Sequence, residues 1–128
     1  ESDESSESYK DFKQSMMPSL LNHTLSYAKN KLEDTSTNLV VIGNGSNVVK
    51  QYPKEYETII SNQNVFLLTD GSKITMPNMK GWTKKDVTAF WEMTHIEVQM
   101  SGTGKVTSQN IKAGKAINSD TVIKVEME

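Results

Sequence analysis

The stretch that decides the fold is Met76-Pro77-Asn78-Met79-Lys80-Gly81-Trp82-Thr83-Lys84-Lys85-Asp86-Val87-Thr88-Ala89-Phe90-Trp91. Its first half favours an extended backbone, because Pro77 disfavours the helical conformation of Met76 and Gly81 interrupts regular structure. A helix then starts after Thr83, whose hydroxyl can accept a hydrogen bond from the first turn, and Asp86 three residues later completes a capping box. The stretch therefore predicts an extended segment, a glycine hinge and a capped helix.

The same construction occurs once before in the chain, 59 residues earlier, where Met17-Pro18-Ser19-Leu20 corresponds to Met76-Pro77-Asn78-Met79. Each helix is followed by an alternating apolar segment, at 38–42 and at 96–100, which predicts a strand. A glycine-rich loop follows each of these strands and suits a hairpin connection. The order predicts an α+β fold of two small units, each with one helix packed on a three-stranded, mainly antiparallel sheet.

Composition and spacing divide the chain into three segments. Residues 1–13 are rich in Ser and carry five acidic residues against two lysines, a net charge of −3, which predicts a flexible linker. Residues 14–71 make the first unit, which is degenerate, and residues 72–128 make the second. The connection at 69–73 reaches only about 15–18 Å when extended, so we expect the units to be close neighbours. The chain begins without Met, and we expect it to be a piece of a longer protein.

Composition also argues against several classes of function. All 14 cationic residues are lysines, whereas nucleic-acid recognition depends largely on arginine. There is no cysteine for a disulfide or a thiolate metal site, and neither His23 nor His95 has companion ligands at metal spacing. No apolar run is long enough to span a membrane, and no Gly-x-Ser-x-Gly nucleophile motif is present. We expect no catalysis, metal, cofactor, nucleic acid or direct membrane insertion.

The helix periodicity predicts the two cores. Val87, Phe90, Trp91 and Thr94 fall on one helix face of the second unit. The predicted core of that unit is Trp91, Phe90, Val98, Ile123 and Val125, and that of the first unit is Ala28, Leu32, Val40, Val65 and Leu67. Trp82, just before the cap, is expected to pack against the helix; an exposed platform for stacking a sugar is the alternative.

Several motifs of the second copy together resemble the PASTA domain. They are Met-Pro-Asn-Met-x-Gly-x-Thr-x-x-Asp-Val, then Gly-x-Gly-Lys-Val-x-Ser-Gln, and the closing Thr-Val-Ile-Lys-Val. The first copy is similar mainly in its spacing, and Tyr56 stands where the second copy has Gly114. The second copy also departs from the family pattern, because Asn110-Ile111 replaces the usual Ser-Pro. PASTA domains are shared by penicillin-binding proteins and bacterial Ser/Thr kinases.

A tandem pair with a degenerate first unit is similar to the tail of class B penicillin-binding proteins of Gram-positive cocci. The resemblance implies a membrane-anchored parent that cross-links peptidoglycan outside the cell at the division septum. It places the catalytic Ser and the β-lactam site in a domain outside this chain. The implied partners are peptidoglycan fragments (muropeptides), bound weakly, and the transpeptidase domain of the same chain. The sensor ectodomain of a Ser/Thr kinase and a purely structural spacer remain as alternatives.

A ligand site is predicted at the loop Ser101–Lys105. Peptidoglycan fragments offer carboxylates, amides and sugar faces, so a site needs lysine or amide donors and an aromatic platform. The predicted ligand-binding residues are Trp82, Ser101, Gly102, Thr103, Gly104, Lys105 and Gln109. A phosphate loop would have to open a helix, whereas predicted strands flank this loop on both sides, so we interpret it as a turn.

The two predicted sheets differ on their outward faces. The second unit is polar there, whereas the corresponding residues of the first unit are Leu39, Val41, Phe66 and Leu68. A half-exposed sheet normally alternates apolar and polar residues, so four outward apolar residues need a cover. We predict that these four residues pack against the second unit, with the transpeptidase domain of the parent chain as the other candidate cover. The alternative is a one-residue shift of strand register, which would exchange the two faces.

Overall fold

The computed structural model describes residues 14–128, so the predicted linker at 1–13 lies outside the described residues. In the first unit the elements are β1 (Gln14–Met16), α1 (Leu25–Leu32), a 3-10 helix (Glu33–Thr35), β2 (Asn38–Ile42), β3 (Val48–Tyr52), β4 (Thr58–Ile60) and β5 (Asn64–Thr69). In the second unit they are β6 (Ile74–Thr75), α2 (Lys84–Thr94), β7 (Glu97–Gly102), β8 (Val106–Gln109), β9 (Ala116–Ile117) and β10 (Val122–Met127). The predicted α+β fold is confirmed.

Both helices begin with a side-chain cap. Thr83 Oγ1 accepts from the Asp86 N–H at 3.2 Å, and Asp86 Oδ2 accepts from the Thr83 N–H at 3.0 Å, which completes the capping box. In the first unit Thr24 Oγ1 accepts from the Tyr27 N–H at 3.1 Å, and no carboxylate lies in the first turn of α1. The reciprocal bond of the second unit therefore gives α2 the better defined start.

Each unit has a mixed sheet in which the last strand lies in the middle. The strand orders are β2-β5-β3 and β7-β10-β8, and each central strand pairs in parallel with the first strand and antiparallel with the second. The pairs β1–β4 and β6–β9 form small antiparallel sheets beside them. The hairpin prediction is wrong, because the strands on either side of each glycine-rich loop lie on opposite edges of the sheet.

The glycines of the second loop allow it to cross the end of β10. Lys105 and Glu128 exchange two backbone hydrogen bonds, both of 2.9 Å, which hold the loop against the end of the chain. Gly102 and Gly104 have φ angles of 93° and 100°, and a Cβ at either would collide with the carbonyl oxygen of Met127 or Glu128. Glycine is needed here for the backbone conformation and for the close approach.

The elements stack in four layers: α1, the first sheet, α2 and the second sheet. One face of the first sheet carries the first-unit cluster, which consists of Met17, Leu20, Ala28, Leu32, Val48, Ile59, Val65 and Leu67. The other face joins the shared cluster, which consists of Ile42, Phe66, Met76, Met79, Trp82, Val87, Ala89, Phe90, Met93, Ile96, Val106, Ile117, Ile123, Val125 and Met127. The two units therefore share a core, with α2 packed between two sheets.

The outer side of α1, at one end of the four layers, carries polar residues. Ala89 and Met93 are buried on α2, and their counterparts 59 positions earlier in the first unit are Asn30 and Asp34. Both polar counterparts are exposed. The helix of the first unit thus lacks the second apolar face with which α2 contacts a neighbouring sheet.

The structure places Trp91 outside the core, so that prediction is wrong. Its side chain is 46% exposed and lies edge-on to His95, with ring centroids 6.5 Å apart. The buried residues of α2 are Val87, Ala89, Phe90 and Met93. At about 100° per residue these positions span an arc of roughly 160°, and Trp91 falls beyond its edge. The arc extends toward Ala89 and Met93 because the first sheet covers that side of the helix.

The other predicted core residues fall into the two clusters. Ala28, Leu32, Val65 and Leu67 belong to the first-unit cluster, whereas Phe90, Ile123 and Val125 belong to the shared cluster. Val98 is partly buried against the shared cluster, and Val40 packs against the same cluster rather than in the first unit.

The prediction for Leu39 and Val41 is wrong as well. Leu39 is partly buried against the first-unit cluster, and Val41 is 37% exposed. In the parallel register of β2 and β5, Leu39 lies beside Val65 and Val40 lies beside Phe66. The one-residue shift that exchanges the two faces of a strand therefore applies to β2 and not to β5. Val40 and Ile42, beside Phe66 and Leu68, form the face that contacts the second unit.

Candidate functional site

A polar cleft opens where the two units meet, and we call it the inter-unit cleft. Its volume is about 740 Å³, within the range of small-molecule sites. The first unit lines it with Asn38, Tyr52, Thr58, Ile60, Asn62, Gln63 and Asn64. The second unit lines it with Lys80, Gly81, Trp82, Thr83, Lys85, Asp86 and Lys105.

The first-unit wall presents amide side chains that are ordered by the turn between β4 and β5. Asn62 has a φ of 69°, a left-handed conformation that Asn tolerates better than most residues. Gln63 Oε1 accepts from the Ile60 N–H at 3.0 Å, and Asn38 Nδ2 donates to the Asn62 carbonyl at 3.1 Å. These bonds hold the turn against β2 and fix the side-chain amides of Asn38 and Gln63 along the cleft.

The second-unit wall is positively charged. Lys80, Lys85 and Lys105 are exposed there with a single carboxylate, that of Asp86, so three lysines against one aspartate give a net charge of +2. The wall includes the first turn of α2, where the helix dipole adds a partial positive charge. The cleft is therefore suited to an anionic group.

The Asp86 carboxylate joins the two walls. Its Oδ2 accepts from the Thr83 N–H at 3.0 Å and from Asn64 Nδ2 at 3.1 Å. The first bond belongs to the helix cap and the second crosses from α2 to the first strand position of β5. One oxygen thus serves both the start of α2 and the junction between the units.

Trp82 lies at the base of the cleft and offers no ring face to a ligand. It is 5% exposed, and its ring meets Phe66 edge-on at 5.1 Å and Phe90 at 6.2 Å between centroids. A sugar-stacking platform needs an open aromatic face. The predicted ligand contact of Trp82 is therefore wrong, and Trp82 is a core residue.

Gln109 is committed to internal hydrogen bonds. Its Oε1 accepts from the Met79 N–H at 2.8 Å, and its Nε2 donates to the carbonyls of Pro77 (3.1 Å) and Ile111 (2.7 Å). In the first unit the same three bonds run from Gln51 to the Leu20 N–H (2.7 Å) and to the carbonyls of Pro18 (3.0 Å) and Pro53 (3.2 Å). Both amide hydrogens are used, so Gln109 holds the extended segment and its predicted role as a ligand donor is wrong.

The remaining predicted ligand residues are spread over three surfaces. Lys105 lines the inter-unit cleft. Gly102, Thr103 and Gly104 line a pocket of about 280 Å³ beside Lys84. Ser101 lines a separate groove of about 430 Å³ on the outer face of the second sheet. The structure therefore does not bring the predicted loop residues into one site, and their ligand contact stays a prediction.

Sequence reasoning missed most of the cleft. Lys80 and Lys85 flank the cap of α2, whereas Asn62 lies in the β4–β5 turn of the other unit and Asn64 begins β5. The available signals were the amide run Asn62-Gln63-Asn64 and the lysines around Thr83. Neither signal indicates a site alone, because the two groups meet only through packing between the units.

The family follows from a comparison with known protein families. Residues 15–71 and 74–128 each match the PASTA domain model. The chain belongs to the PASTA domain family. PASTA domains are non-catalytic.

Among residues 14–128, no group of three or more His, Asp or Glu side chains could hold a metal ion. Over the same range, no helix has the length and apolar character needed to cross a membrane.

Both PASTA units are similar to part of a solved structure, penicillin-binding protein 2X from Streptococcus thermophilus. The two are 25% identical over 91% of this chain, with a TM-score of 0.75. The match covers 17% of that protein, so this chain spans less than a fifth of its length.

Two structures of Staphylococcus aureus kinases show weaker likeness. The three-PASTA-domain part of a Ser/Thr kinase is 18% identical over 88% of this chain and 65% of its own, with a TM-score of 0.35. The entire extracellular region of the Ser/Thr kinase PrkC is 16% identical over 90% of this chain and 46% of its own, with a TM-score of 0.38. Scores this low carry no argument about the arrangement of the units.

Proposed function

We propose that this PASTA pair is the non-catalytic C-terminal module of a penicillin-binding protein. It positions the parent transpeptidase by contacting peptidoglycan or the transpeptidase domain. The observation that carries the proposal is the likeness to penicillin-binding protein 2X, because a TM-score of 0.75 over 91% of the chain covers both units in one superposition. The parent is a membrane-anchored D,D-transpeptidase of a Gram-positive coccus that works outside the cell at the division septum.

The shared core supports a positioning role. Phe66 and Leu68 of the first unit pack into the same cluster as α2 of the second, so the units cannot rotate freely without exposing apolar surface. A rigid block transmits the position of whatever it binds to the domain that precedes it. In this proposal residues 14–71 and 72–128 are the two units, and residues 1–13 are a linker.

The kinase-ectodomain alternative has no comparable observation in its favour, because both kinase likenesses have TM-scores below 0.5. A purely structural spacer remains the other alternative, and it predicts no binding to the cell wall.

The proposal is tested in the parent protein. We expect that deleting residues 14–128 from a fluorescent full-length parent lowers its accumulation at the septum. Acylation by a labelled β-lactam is the control, because it shows that the transpeptidase domain is still folded. We also expect the isolated chain to sediment with purified peptidoglycan sacculi if the contact is with the wall. Unchanged septal localisation after the deletion would show that the proposal is wrong.

A further inference from the structure

We propose that the inter-unit cleft is a composite site that binds the carboxylate of a short peptide, with each PASTA unit supplying one wall. The inference rests on the proposed contact with peptidoglycan, since that contact brings peptide carboxylates to the pair. It goes further in naming the site, the ligand chemistry and the need for both units together.

The charge of the cleft selects an anion. Lys80, Lys85 and Lys105 line one side against the single carboxylate of Asp86. That carboxylate already accepts hydrogen bonds from the Thr83 N–H and from Asn64 Nδ2. The first turn of α2 lies at the same place, and its dipole favours negative charge there, while the Asp86 N–H is bonded to Thr83 Oγ1 at 3.2 Å.

The opposite wall selects a peptide over a bare anion. Asn62, Gln63 and Asn64 line this wall with amide groups, of which Gln63 Oε1 is bonded to the Ile60 N–H and Asn64 Nδ2 to Asp86. Amide groups combine donors and acceptors and therefore match the N–H and C=O groups of a peptide backbone. A volume of about 740 Å³ accommodates a few residues. The cleft is open to solvent, so a short peptide buries only part of its surface there and binding should be weak.

The composite construction couples binding to the junction between the units. The lysines belong to the second unit and the amide run to the first, and the Asn64–Asp86 hydrogen bond and the Phe66–Trp82 contact fix their separation. A ligand that touches both walls binds only the docked pair. It should therefore raise the melting temperature of the whole chain, by an amount that grows with the logarithm of the free ligand concentration above its Kd.

The test uses the full chain and N-acetyl-Ala-Glu-Ala, a peptide with two carboxylates. The matched probe is N-acetyl-Ala-Gln-Ala amide, which has the same shape and no charge. In ¹⁵N NMR titrations at constant ionic strength we expect the charged peptide to shift the amides of Asn62, Asn64, Lys80, Lys85 and Lys105. The neutral probe should bind about tenfold more weakly. Shifts confined to other surfaces, or equal affinities for the two probes, would overturn the proposal.

Two pairs of variants test the two walls. Lys80→Gln/Lys85→Gln/Lys105→Gln should weaken binding about tenfold, whereas Lys112→Gln/Lys115→Gln/Lys124→Gln removes the same charge away from the cleft and should change it little.

Asn62→Asp places a negative charge on the first-unit wall and should also weaken binding. Asn30→Asp, on exposed α1, is its control. Equal effects of Asn62→Asp and Asn30→Asp would show that the first unit takes no part and would overturn the composite site.

Further measurements separate this inference from the proposed function and from simple anion binding. If sacculi bind the wild-type chain and the triple cleft variant equally, the cleft inference is wrong and the proposed wall contact stands. If the peptide titrates the cleft and the septal assay fails, the cleft stands and the proposed function is wrong. Displacement of the peptide by an equal concentration of inorganic phosphate would show that the cleft binds anions in general. That result would overturn the peptide proposal.

Discussion

The ring of Phe66 meets the ring of Trp82 edge-on, with centroids 5.1 Å apart and planes 89° to one another. Phe66 belongs to β5 of the first PASTA unit and Trp82 precedes α2 of the second, and both are at most 5% exposed. Edge-to-face pairs of this kind stabilise beyond the area that they bury, by about 0.5–1.5 kcal/mol. The contact therefore makes the two units parts of one core.

Trp82 and Trp91 should respond very differently to truncation. Trp82→Ala removes a buried ring from the shared cluster and should lower the free energy of unfolding by about 3–5 kcal/mol. Trp91 is 46% exposed, and Trp91→Ala should cost less than about 1 kcal/mol. Chemical denaturation of both variants measures the difference. A larger loss in Trp91→Ala would contradict the burial described here.

The two units should unfold together. Phe66→Ala leaves a cavity in the shared cluster, so it should reduce hydrogen-exchange protection in β10 as well as in β5. Tyr27→Ala, on the exposed side of α1, is the control and should leave both strands protected. The prediction fails if Phe66→Ala lowers protection in β5 while the amides of Ile123 and Val125 keep theirs.

Gln109 should matter for stability. Gln109→Ala leaves the Met79 N–H and two carbonyls without their partners in a partly buried position, at a cost of about 1–3 kcal/mol. Gln51→Ala should have a similar effect, because it makes the same three bonds in the first unit. Gln99→Ala is the exposed control. Thermal melts compare the three, and equal midpoints for Gln109→Ala and Gln99→Ala would rule out this structural role.

Asp70 should titrate below its ordinary range. The Asn47 side-chain amide, at 3.1 Å, is the main cause that lowers the pKa of Asp70, and the Asn47 N–H, at 3.3 Å, adds to it. A lowered pKa in the folded state contributes stability that is present above the unfolded-state pKa and is lost as the pH falls through the folded-state pKa. Asn47→Ala should raise the pKa of Asp70 in a carboxyl ¹³C titration.

Asn44→Ala is the control for that titration, because Asn44 bonds to the Lys73 N–H rather than to Asp70. If Asn44→Ala moves the pKa of Asp70 as far as Asn47→Ala does, the assignment of the cause is wrong.

The repeat and the helix starts could be predicted from the sequence because they depend on local chemistry. A Thr–Asp capping box acts within four residues, and a Pro biases the residue before it, so Thr83, Asp86 and Pro77 indicate their structure without knowledge of the fold. The strand order could not be predicted in this way. Pairing of β2 with β5 and of β7 with β10 depends on contacts between residues more than 20 positions apart.

The candidate site was less accessible to sequence reasoning than the fold. A lysine, a glycine loop and a Gln are compatible with ligand contact, but Gln109 and Gly104 are used internally and only Lys105 reaches the cleft. The residue types indicated which groups each side chain could offer to a ligand. Whether a side chain is available to a ligand depends on the hydrogen bonds and backbone contacts that it makes in the folded chain.

The sequence by itself determined two α+β units, because caps and strand alternation are properties of neighbouring residues, and its motifs resemble those of the PASTA family. Only the tertiary structure decided which faces are buried. Ala89, Met93 and Trp82 are core residues because the first sheet lies against them, and Trp91 is exposed because nothing described in residues 14–128 covers that side of α2. Burial depends on what packs against a face, and a periodic pattern along one helix carries no information about a second neighbour.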